Sequence, residues 1–190
     1  MPRPFGTRIP RVRQHDATDC GAACLAAIAE FHGLRLPVAR VRQIAATDRE
    51  GTSVRGLLDA AAALGFTAKG VRGDDGALPR IPLPAIAHLV LPDGLQHFVV
   101  LHRVTSTHVQ LMDPSDGVVR HLPRGDFVAR WSGVLVLLLP ADSFRRGNAR
   151  ASVVGRFWNI VQPHRTVMWQ ALAGAAVHTI LGLSTAVFVL

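Results

Sequence analysis

Cys20 has the clearest potential for chemistry in this sequence, because it lies at the start of a predicted helix. Thr18 or Asp19 is a suitable N-cap, and residues 20–31 are rich in alanine without a proline or a β-branched run. A thiol in the first turn of a helix faces unpaired backbone N–H groups and the positive end of the helix dipole, and both stabilise a thiolate. Gly21 leaves the approach to the sulfur open. By itself, a buried cysteine is more typical of a core residue. The combination of Cys20 with the residues below is what predicts a nucleophile.

A cysteine nucleophile needs a base, a group that orients the base, and donors for the oxyanion. Gln14 lies six residues before Cys20 and carries an amide N–H₂ that could reach such an oxyanion. His97 follows the turn at residues 92–96 at the mouth of a predicted strand, and Asp113 closes the next strand. If the two strands pair as a hairpin, imidazole and carboxylate meet at one end of the sheet. The carboxylate would then fix the tautomer and stabilise the imidazolium.

Other residues of the same types have simpler interpretations. The sequence contains 9 histidines, and His102, in the same strand as His97, is expected to point to the opposite face. His15 is interpreted as a loop residue. The other three in this region are expected to be surface or hydrogen-bonded sheet histidines: His88, His108 and His121.

Several residues near the motifs are assigned to structure rather than chemistry. Asp116 competes with Asp113 but is expected to bond the backbone of its own turn. A metal site formed by Cys20, Cys24 and His97 is the chemical alternative, but Cys-x₃-Cys is not the usual structural zinc spacing. No metal is therefore predicted. Four further residues are assigned structural roles, two as helix caps (Asp16 and Asp19) and two as core residues (Cys24 and Trp131).

Four segments of the sequence are similar to motifs of a known family and follow each other in the same order as in that family. They are Gln14 with Asp19-Cys20-Gly21-Ala22-Ala23-Cys24, His97-Phe98-Val99-Val100-Leu101, Asp113-Pro114-Ser115-Asp116-Gly117 and Trp131-Ser132-Gly133-Val134. Together they resemble the C39 peptidases, which are papain-like cysteine peptidase domains at the N-terminus of bacteriocin-exporting ABC transporters. The resemblance covers residues 11–140, and the first segment is its most specific part.

The resemblance implies a set of roles. Cys20, His97 and Asp113 match the triad of the family, Gln14 matches its oxyanion-hole residue, and the backbone N–H of Cys20 would be the second donor. The implied reaction is cleavage of a bacteriocin-like precursor peptide after a double-glycine leader during export. It would take place on the cytoplasmic side of the bacterial plasma (inner) membrane. A non-catalytic docking domain that binds secretion substrates is the alternative, since some relatives have lost the nucleophile.

The same resemblance sets expectations for cofactors and partners. No cofactor is expected for the peptidase. ATP and Mg²⁺ would belong to a transporter portion outside this chain, because no Gly-x-x-x-x-Gly-Lys-Ser/Thr motif occurs in it. A transporter core is an expected partner, homodimeric in a full-length protein.

Composition limits the other function classes. The chain has 190 residues, of which 49% are hydrophobic and 18% charged, so that it can bury a core. Its net charge of +8 would suit nucleic acid or an anionic surface. The absence of a helix-turn-helix, a zinc-finger spacing or an aromatic-interleaved basic patch argues against nucleic acid. The 2 cysteines lie one helical turn apart, and residues 1–13 contain no signal peptide. These features favour the cytoplasm.

The order of the predicted elements is helices first and an antiparallel sheet afterwards, which is an α+β pattern. The resemblance adds a papain-like fold with the central N-terminal helix packed on the sheet. Helices are predicted at 20–31, 37–46, 54–64 and 125–130. Strands are predicted at 66–71, 85–91, 97–104, 108–112, 118–122 and 134–139, and the last of these is expected to be fully buried.

Four regions follow from these patterns. Residues 1–10 form a basic N-terminal arm, 11–140 the C39-like peptidase domain, and 141–166 a basic cytoplasmic linker with an amphipathic portion near 153–160. Residues 167–190 contain no charged side chain and have the length of a membrane span, with a buried C-terminal helix as the alternative. Because arginines precede them, the positive-inside rule puts everything before Val167 in the cytoplasm. We expect this to be the first transmembrane helix of a longer protein.

Overall fold

The helix that begins at Cys20 is the centre of the fold. A computed structural model describes residues 9–149 and 161–188, without the side chains of residues 180–188. It places helix α1 at Cys20–Phe31 with Asp19 as the N-cap, and every residue of the helix except Glu30 is buried. The alanine-rich sequence makes this burial favourable, because it has apolar side chains on all faces and lets neighbouring elements approach closely. The predicted central helix is confirmed.

Shorter helices complete the helical part of this unit. They are α2 (Val38–Ile44), α3 (Val54–Ala63) and α4 (Arg124–Val128). Ser53 caps α3, since its Oγ accepts a hydrogen bond from the backbone N–H of Gly56 at 3.0 Å. A 3₁₀ turn at Ala17–Asp19 directly precedes α1. A second 3₁₀ segment lies at Asp75–Arg80, between β2 and β3.

The described residues form eight strands, six of which belong to one antiparallel sheet. In chain order they are β1 (Leu34–Arg35), β2 (Phe66–Arg72), β3 (Ala85–Val90), β4 (Gln96–Val104), β5 (His108–Asp113), β6 (Val118–Pro123), β7 (Trp131–Pro140) and β8 (Gly147–Asn148). The six-stranded sheet has the order β2-β7-β3-β4-β5-β6. Strands β1 and β8 form a separate parallel pair. The α+β prediction with an antiparallel sheet is confirmed.

The sheet separates two clusters of buried side chains. Along β4, Phe98 and Val100 belong to the cluster that contains α1, whereas Val99 and Leu101 belong to the cluster on the other face. This alternation is the two-residue period of a strand covered on both faces. Helix α1 therefore packs directly on the strand that carries His97.

Two details of the sheet differ from the predictions. Strand β7 begins at Trp131, three residues before the predicted start at residue 134. The prediction that this strand is fully buried is wrong, because Leu139 is 54% exposed. Leu139 lies near the end of the strand, beyond the residues of the second cluster. A register shift also interrupts the pairing of β4 with β5 between Leu101 and Arg103. The other predicted elements agree within two or three residues, the usual uncertainty of element ends.

The chain divides into the units Met1–Arg150 and Ala151–Leu190. In the second unit, a 3₁₀ turn at Gln162–His164 precedes helix α5 at Arg165–Phe188. Among the described residues, no helix combines the length and the apolar character needed to cross a membrane. The membrane span at 167–190 therefore stays a prediction. Most of the basic arm at 1–10 and the amphipathic portion at 153–160 lie outside the described residues.

Candidate active site

The N-terminus of α1 is held by a network of carboxylates and one arginine. The backbone N–H of Asp16 donates to Asp19 Oδ2 at 3.2 Å. Arg42 of α2 pairs with Asp16 Oδ2 at 3.0 Å and with Asp19 Oδ1 at 3.1 Å. Asp19 is only 2% exposed, so its charge is matched by Arg42 inside the protein. Asp19 is the N-cap residue of α1, as predicted, but its carboxylate accepts from the backbone N–H of Asp16 and not from an N–H of the helix. Asp16 is the N-cap of the 3₁₀ turn before α1. The network fixes the backbone just before Cys20.

Cys20, His97 and Asp113 are brought together as the hairpin predicted. The antiparallel pairing of β4 with β5 places His97 and Asp113 at the same sheet end. His97 Nε2 lies 2.9 Å from Asp113 Oδ1, and the ring is close enough to the Cys20 side chain for that group to raise the pKa of His97. Since Nε2 faces Asp113, Nδ1 is the nitrogen left for the sulfur. Cys20 is 6% exposed, and the His97 side chain 11%.

The Asp113 carboxylate is itself fixed by two residues that the sequence analysis missed. Asp113 Oδ1 accepts hydrogen bonds from Ser115 N at 2.9 Å and from Ser115 Oγ at 2.7 Å. Arg120 Nη1 of β6 lies 3.3 Å from Asp113 Oδ2. The bonds to Ser115 are a common local pattern of an aspartate at a turn, so the spacing Asp-Pro-Ser could have indicated them. Arg120 reaches Asp113 from the paired strand, and the sequence carries no local signal for it.

Asp116 serves its own turn, as predicted. Its Oδ1 accepts a hydrogen bond from the backbone N–H of Val118 at 2.9 Å. Its carboxylate also pairs with Arg120. Asp113 and not Asp116 is therefore the carboxylate that meets the imidazole.

The electrostatics of the site favour an imidazolium–carboxylate pair. Burial alone would lower the pKa of His97, but hydrogen bonds to Asp113 and Cys20, together with the charges of both groups, raise this pKa to about 9. Burial would raise the pKa of Asp113. Hydrogen bonds from His97 and Ser115 and the charge of His97 instead hold that pKa well below its usual range. His97 can therefore carry a proton at neutral pH and hold it next to the Cys20 sulfur.

Gln14 lies at the same site. Its backbone N–H donates to the Pro114 carbonyl at 2.8 Å, which ties the segment before α1 to the turn after β5. Its side chain lines the cleft over Cys20. Gln14 Oε1 is buried and has no hydrogen-bond partner among the described residues. The structure thus brings all four predicted site residues into one place.

The cleft over Cys20 has a volume of about 700 Å³ and is open to solvent. Two sides of the cleft, the loop at 50–52 and the turn at 91–96, could not be predicted from the sequence, since only folding brings them to Cys20. Gly21 permits the approach of that loop, because a Cβ there would lie 2.9 Å from Thr52 Cβ and 3.3 Å from the Phe98 ring. The complete lining comprises Gln14, Ala17, Thr18, Cys20, Glu50, Gly51, Thr52, Leu91, Gly94, Leu95, Gln96, His97, Phe98, Asp113 and Ser115.

The competing residues lie elsewhere. The ring of His102 packs against Phe31, at the other end of α1, with ring centroids 5.7 Å apart. The prediction that it faces away from His97 is wrong, because both side chains lie against α1 and a register shift interrupts the strand between Leu101 and Arg103. The length of α1 is what separates His102 from Cys20. His88 is hydrogen-bonded to Ser132 and Gln96, as expected for a satisfied sheet histidine. The remaining candidates are exposed, as expected: His15, His108 and His121.

The alternative metal ligand and the predicted core tryptophan also have clear places. Cys24 is fully buried in the cluster around α1, and burial raises the pKa of its thiol. In the described part of the chain, no three His, Cys, Asp or Glu side chains are grouped so that they could hold a metal ion. Trp131 stacks on Phe127 within the second cluster, with ring centroids 5.9 Å apart. Both residues have the core positions that were predicted.

A cysteine at a helix start, next to a histidine that is hydrogen-bonded to an aspartate, is the arrangement of a thiol acyl-transfer site. Together with the α+β fold, this arrangement places the chain in the class of proteins that have the fold and the site of cysteine peptidases. The chain belongs to the peptidase C39 family, whose model matches residues 8–143. The resemblance identified from the sequence is thereby confirmed.

Curated relatives of the chain are much longer proteins. The lactococcin-G-processing and transport ATP-binding protein LagD of Lactococcus lactis subsp. lactis is 32% identical over 152 residues, which cover 79% of this chain and 22% of that protein. The transport/processing ATP-binding protein ComA of Streptococcus pneumoniae (strain ATCC BAA-255 / R6) is 31% identical over 144 residues, covering 74% and 20%. The chain thus spans about a fifth of the length of these relatives.

Solved structures match the first unit of the chain. The peptidase domain of Streptococcus ComA, a bifunctional ABC transporter of a quorum-sensing pathway, has a TM-score of 0.66 and 29% identity, covering 70% of this chain and 99% of that domain. A double-glycine-motif protease from an AMS/PCAT transporter, in complex with its leader peptide, has a TM-score of 0.65 and 28% identity, covering 70% and 93%. The fold of residues 9–149 is therefore the fold of C39 peptidase domains.

Proposed function

We propose that this chain is a cysteine endopeptidase domain in which Cys20 is the nucleophile and His97 the general acid and base. Asp113 would orient the imidazole and stabilise its charged form. The amide of Gln14 and the backbone N–H of Cys20 would hold the oxyanion. The observation that carries this proposal is the position of His97, which is hydrogen-bonded to Asp113 and adjacent to the Cys20 side chain in the same cleft.

In the acylation step, the Cys20 thiolate attacks the carbonyl carbon of the scissile peptide bond. The carbonyl oxygen becomes an oxyanion and takes hydrogen bonds from Gln14 and from the backbone N–H of Cys20. The imidazolium of His97 then gives its proton to the leaving nitrogen, the C–N bond breaks, and an amine departs. A thioester between Cys20 and the N-terminal part of the substrate remains.

In the deacylation step, water attacks the thioester carbonyl, and neutral His97 takes a proton from the water. The C–S bond of the tetrahedral intermediate breaks, which releases a carboxylic acid and restores the thiolate and the imidazolium. Asp113 stays ionised throughout, consistent with the direction of its pKa. The proton therefore remains between His97 and the reacting atoms.

The substrate we propose is a precursor peptide cleaved after a double-glycine leader. The names of relatives support this class: one solved relative is a double-glycine-motif protease bound to a leader peptide, and LagD is named for lactococcin-G processing. By the same analogy, the domain would act on the cytoplasmic side of the plasma membrane as part of a homodimeric exporter. Residues 167–190 would supply the membrane contact, and an ATP-binding portion would lie outside this chain.

The direct test is Cys20→Ala with synthetic precursor peptides that contain a double-glycine leader. We expect the wild-type chain to cut after the second glycine, as mapped by the masses of the products. The variant should lose all measurable cleavage, because no other group in the cleft can form the thioester. Equal cleavage by the variant and the wild type would remove the proposal.

The same variant separates the proposal from a docking domain without catalysis. Cys20→Ala removes one sulfur atom and should leave leader binding nearly unchanged, as measured by fluorescence anisotropy of a labelled leader. A docking domain would also bind the leader in both forms, but the wild-type protein would then release no product. Cleavage by the wild type is thus the result that decides between them.

A further inference from the structure

Glu50 is a cleft residue for which the proposed reaction has no use. It lies in the loop between α2 and α3, it is exposed, and it lines the same cleft as Cys20 and His97. Its carboxylate forms no ion pair with any lysine, arginine or histidine of the described residues. The other carboxylate of the cleft, Asp113, is matched by His97 and Arg120. Glu50 is therefore the carboxylate of the described cleft that still has charge to offer a ligand.

The loop holds Glu50 in place although its side chain is exposed. The backbone N–H of Glu50 donates to Asp48 Oδ1 at 2.8 Å, and the backbone N–H of Asp48 donates to the Gly51 carbonyl at 3.2 Å. Thr52 is 6% exposed, and its Oγ1 lies 2.7 Å from Thr47 Oγ1. Since both ends of the loop are anchored, a ligand of Glu50 would not have to order the backbone.

The surroundings of Glu50 favour a cation. Apart from the His97–Asp113 pair, the rest of the lining is neutral, and part of it is apolar, including Leu91, Leu95 and Phe98. A peptide lying in the cleft would displace water from this lining, and a charge-assisted hydrogen bond to the carboxylate gains strength when water is excluded. A lysine or an arginine side chain has both the charge and the N–H donors for such a bond.

We propose that Glu50 is a specificity-determining residue that binds a lysine or arginine side chain of the substrate within three residues of the scissile bond. The inference rests on the proposed peptidase function. It adds a charge preference that the nucleophile, the imidazole and the oxyanion donors cannot supply. Acidic side chains at the same substrate position would be disfavoured by repulsion from Glu50.

The test uses the full 190-residue chain and peptides that keep the two glycines before the cut. These peptides carry lysine, glutamine or glutamate at the third position before the cut or at one of the three positions after it. For each enzyme, the ratio of kcat/KM for the lysine peptide to kcat/KM for the glutamate peptide is measured. Because both values come from one preparation, a change in the folded fraction cancels in the ratio.

At one position, we expect the wild type to favour lysine by about three- to tenfold, the size expected for one partly exposed charge pair. Glu50→Gln should bring the ratio close to one, and Glu50→Lys should reverse it in favour of glutamate. The matched control is Asp126→Lys, which makes the same charge change on exposed Asp126 of α4, outside the cleft. It should keep the wild-type ratio.

Two results would overturn the inference: a wild type without charge preference at any tested position, or a Glu50→Lys variant that keeps the wild-type ratio. Either would leave the peptidase itself intact, provided that the glutamine peptides are still cut by the wild type and not by Cys20→Ala. Cleavage of those peptides by Cys20→Ala would instead remove the proposed function. The two failures are therefore distinguishable.

Discussion

At the scale of single residues, His97 lies between two groups that can carry negative charge. One is the Asp113 carboxylate, 2.9 Å from Nε2, and the other is the Cys20 side chain. Burial alone would favour the neutral ring, and hydrogen bonding and charge outweigh it, which raises the pKa of His97 to about 9. A proposed acid that must protonate a leaving amine is thereby kept charged over the neutral range.

The raised pKa of His97 predicts how kcat/KM of the proposed peptidase falls at alkaline pH, the alkaline limb of its pH profile. In the wild type, kcat/KM should fall with an apparent pKa near 9, where His97 loses its proton. In Asp113→Asn, the amide can still accept a hydrogen bond but carries no charge, so the imidazolium is less stable. The limb should then move to lower pH by about one unit or more.

The measurement is a pH series of kcat/KM between pH 5 and about 10 for both proteins, since the expected limb and its shift fall in that range. Asp59→Asn is the matched control, because Asp59 is an exposed aspartate on α3 that pairs with Arg55. Its limb should coincide with that of the wild type. An unchanged limb in Asp113→Asn would show that Asp113 does not set the proton affinity of His97.

Residue types and spacing, together with the resemblance to the C39 peptidases, predicted the three central side chains and Gln14. Cys20 was visible from its place at a helix start, and Asp113 from its place one hairpin away from His97. Glu50 was not predicted, because its loop reaches Cys20 only through the packing of α2 and α3 against α1. Arg120 was missed for a related reason, since its contact with Asp113 depends on the pairing of β5 with β6.

At the scale of elements, the helices beside α1 determine where the loop at 50–52 lies. Helices α2 and α3 flank that loop in the chain, and Gly56 of α3 lies against the end of α2. A Cβ on Gly56 would contact the carbonyl oxygen of Ala45 more closely than real Cβ atoms approach any neighbour. Because Ala45 is the C-cap of α2, glycine at this position permits the two helices to pack.

Gly56→Ala should therefore destabilise the protein although alanine is the better helix former. We expect a loss of about 1–3 kcal/mol in the free energy of unfolding, the usual range for overpacking. Gly125→Ala in α4 is the control, since a Cβ there meets nothing within 4 Å. It should be neutral or stabilise by about 0.5–1 kcal/mol. Urea denaturation of the two variants checks this, and equal effects would contradict the role of close packing at Gly56.

The elements themselves were predictable to a large extent, and their arrangement was less so. Helix α1 has the predicted ends because local signals define it: a cap, an alanine-rich run and His32-Gly33. The insertion of β7 between β2 and β3 has no local signal, since it depends on pairings between distant segments. The exposure of Leu139 follows from that arrangement. An apolar run alone could not reveal that its end would extend beyond the buried cluster.

At the scale of the whole molecule, the charged pair couples the site to stability. A folded-state pKa of about 9 for His97, above its ordinary value of 6.5, stabilises the fold fully below pH 6.5 and loses this effect as pH rises through 9. The pKa of Asp113 is lowered instead, so its contribution is present above its ordinary value of 3.8 and is lost in acid. Between these limits the pair stabilises the fold while it holds the proposed acid in its charged form.

The free energy of unfolding should therefore fall between pH 6.5 and 9, and more steeply in the wild type than in His97→Gln, which lacks the titrating ring. The difference between the two curves should change by at most roughly 3 kcal/mol over this interval. Urea denaturation at several pH values, with a reductant to keep Cys20 as a thiol, measures both curves. Parallel curves would mean that the ion pair contributes nothing to folding, so that its only effect would be on the reaction.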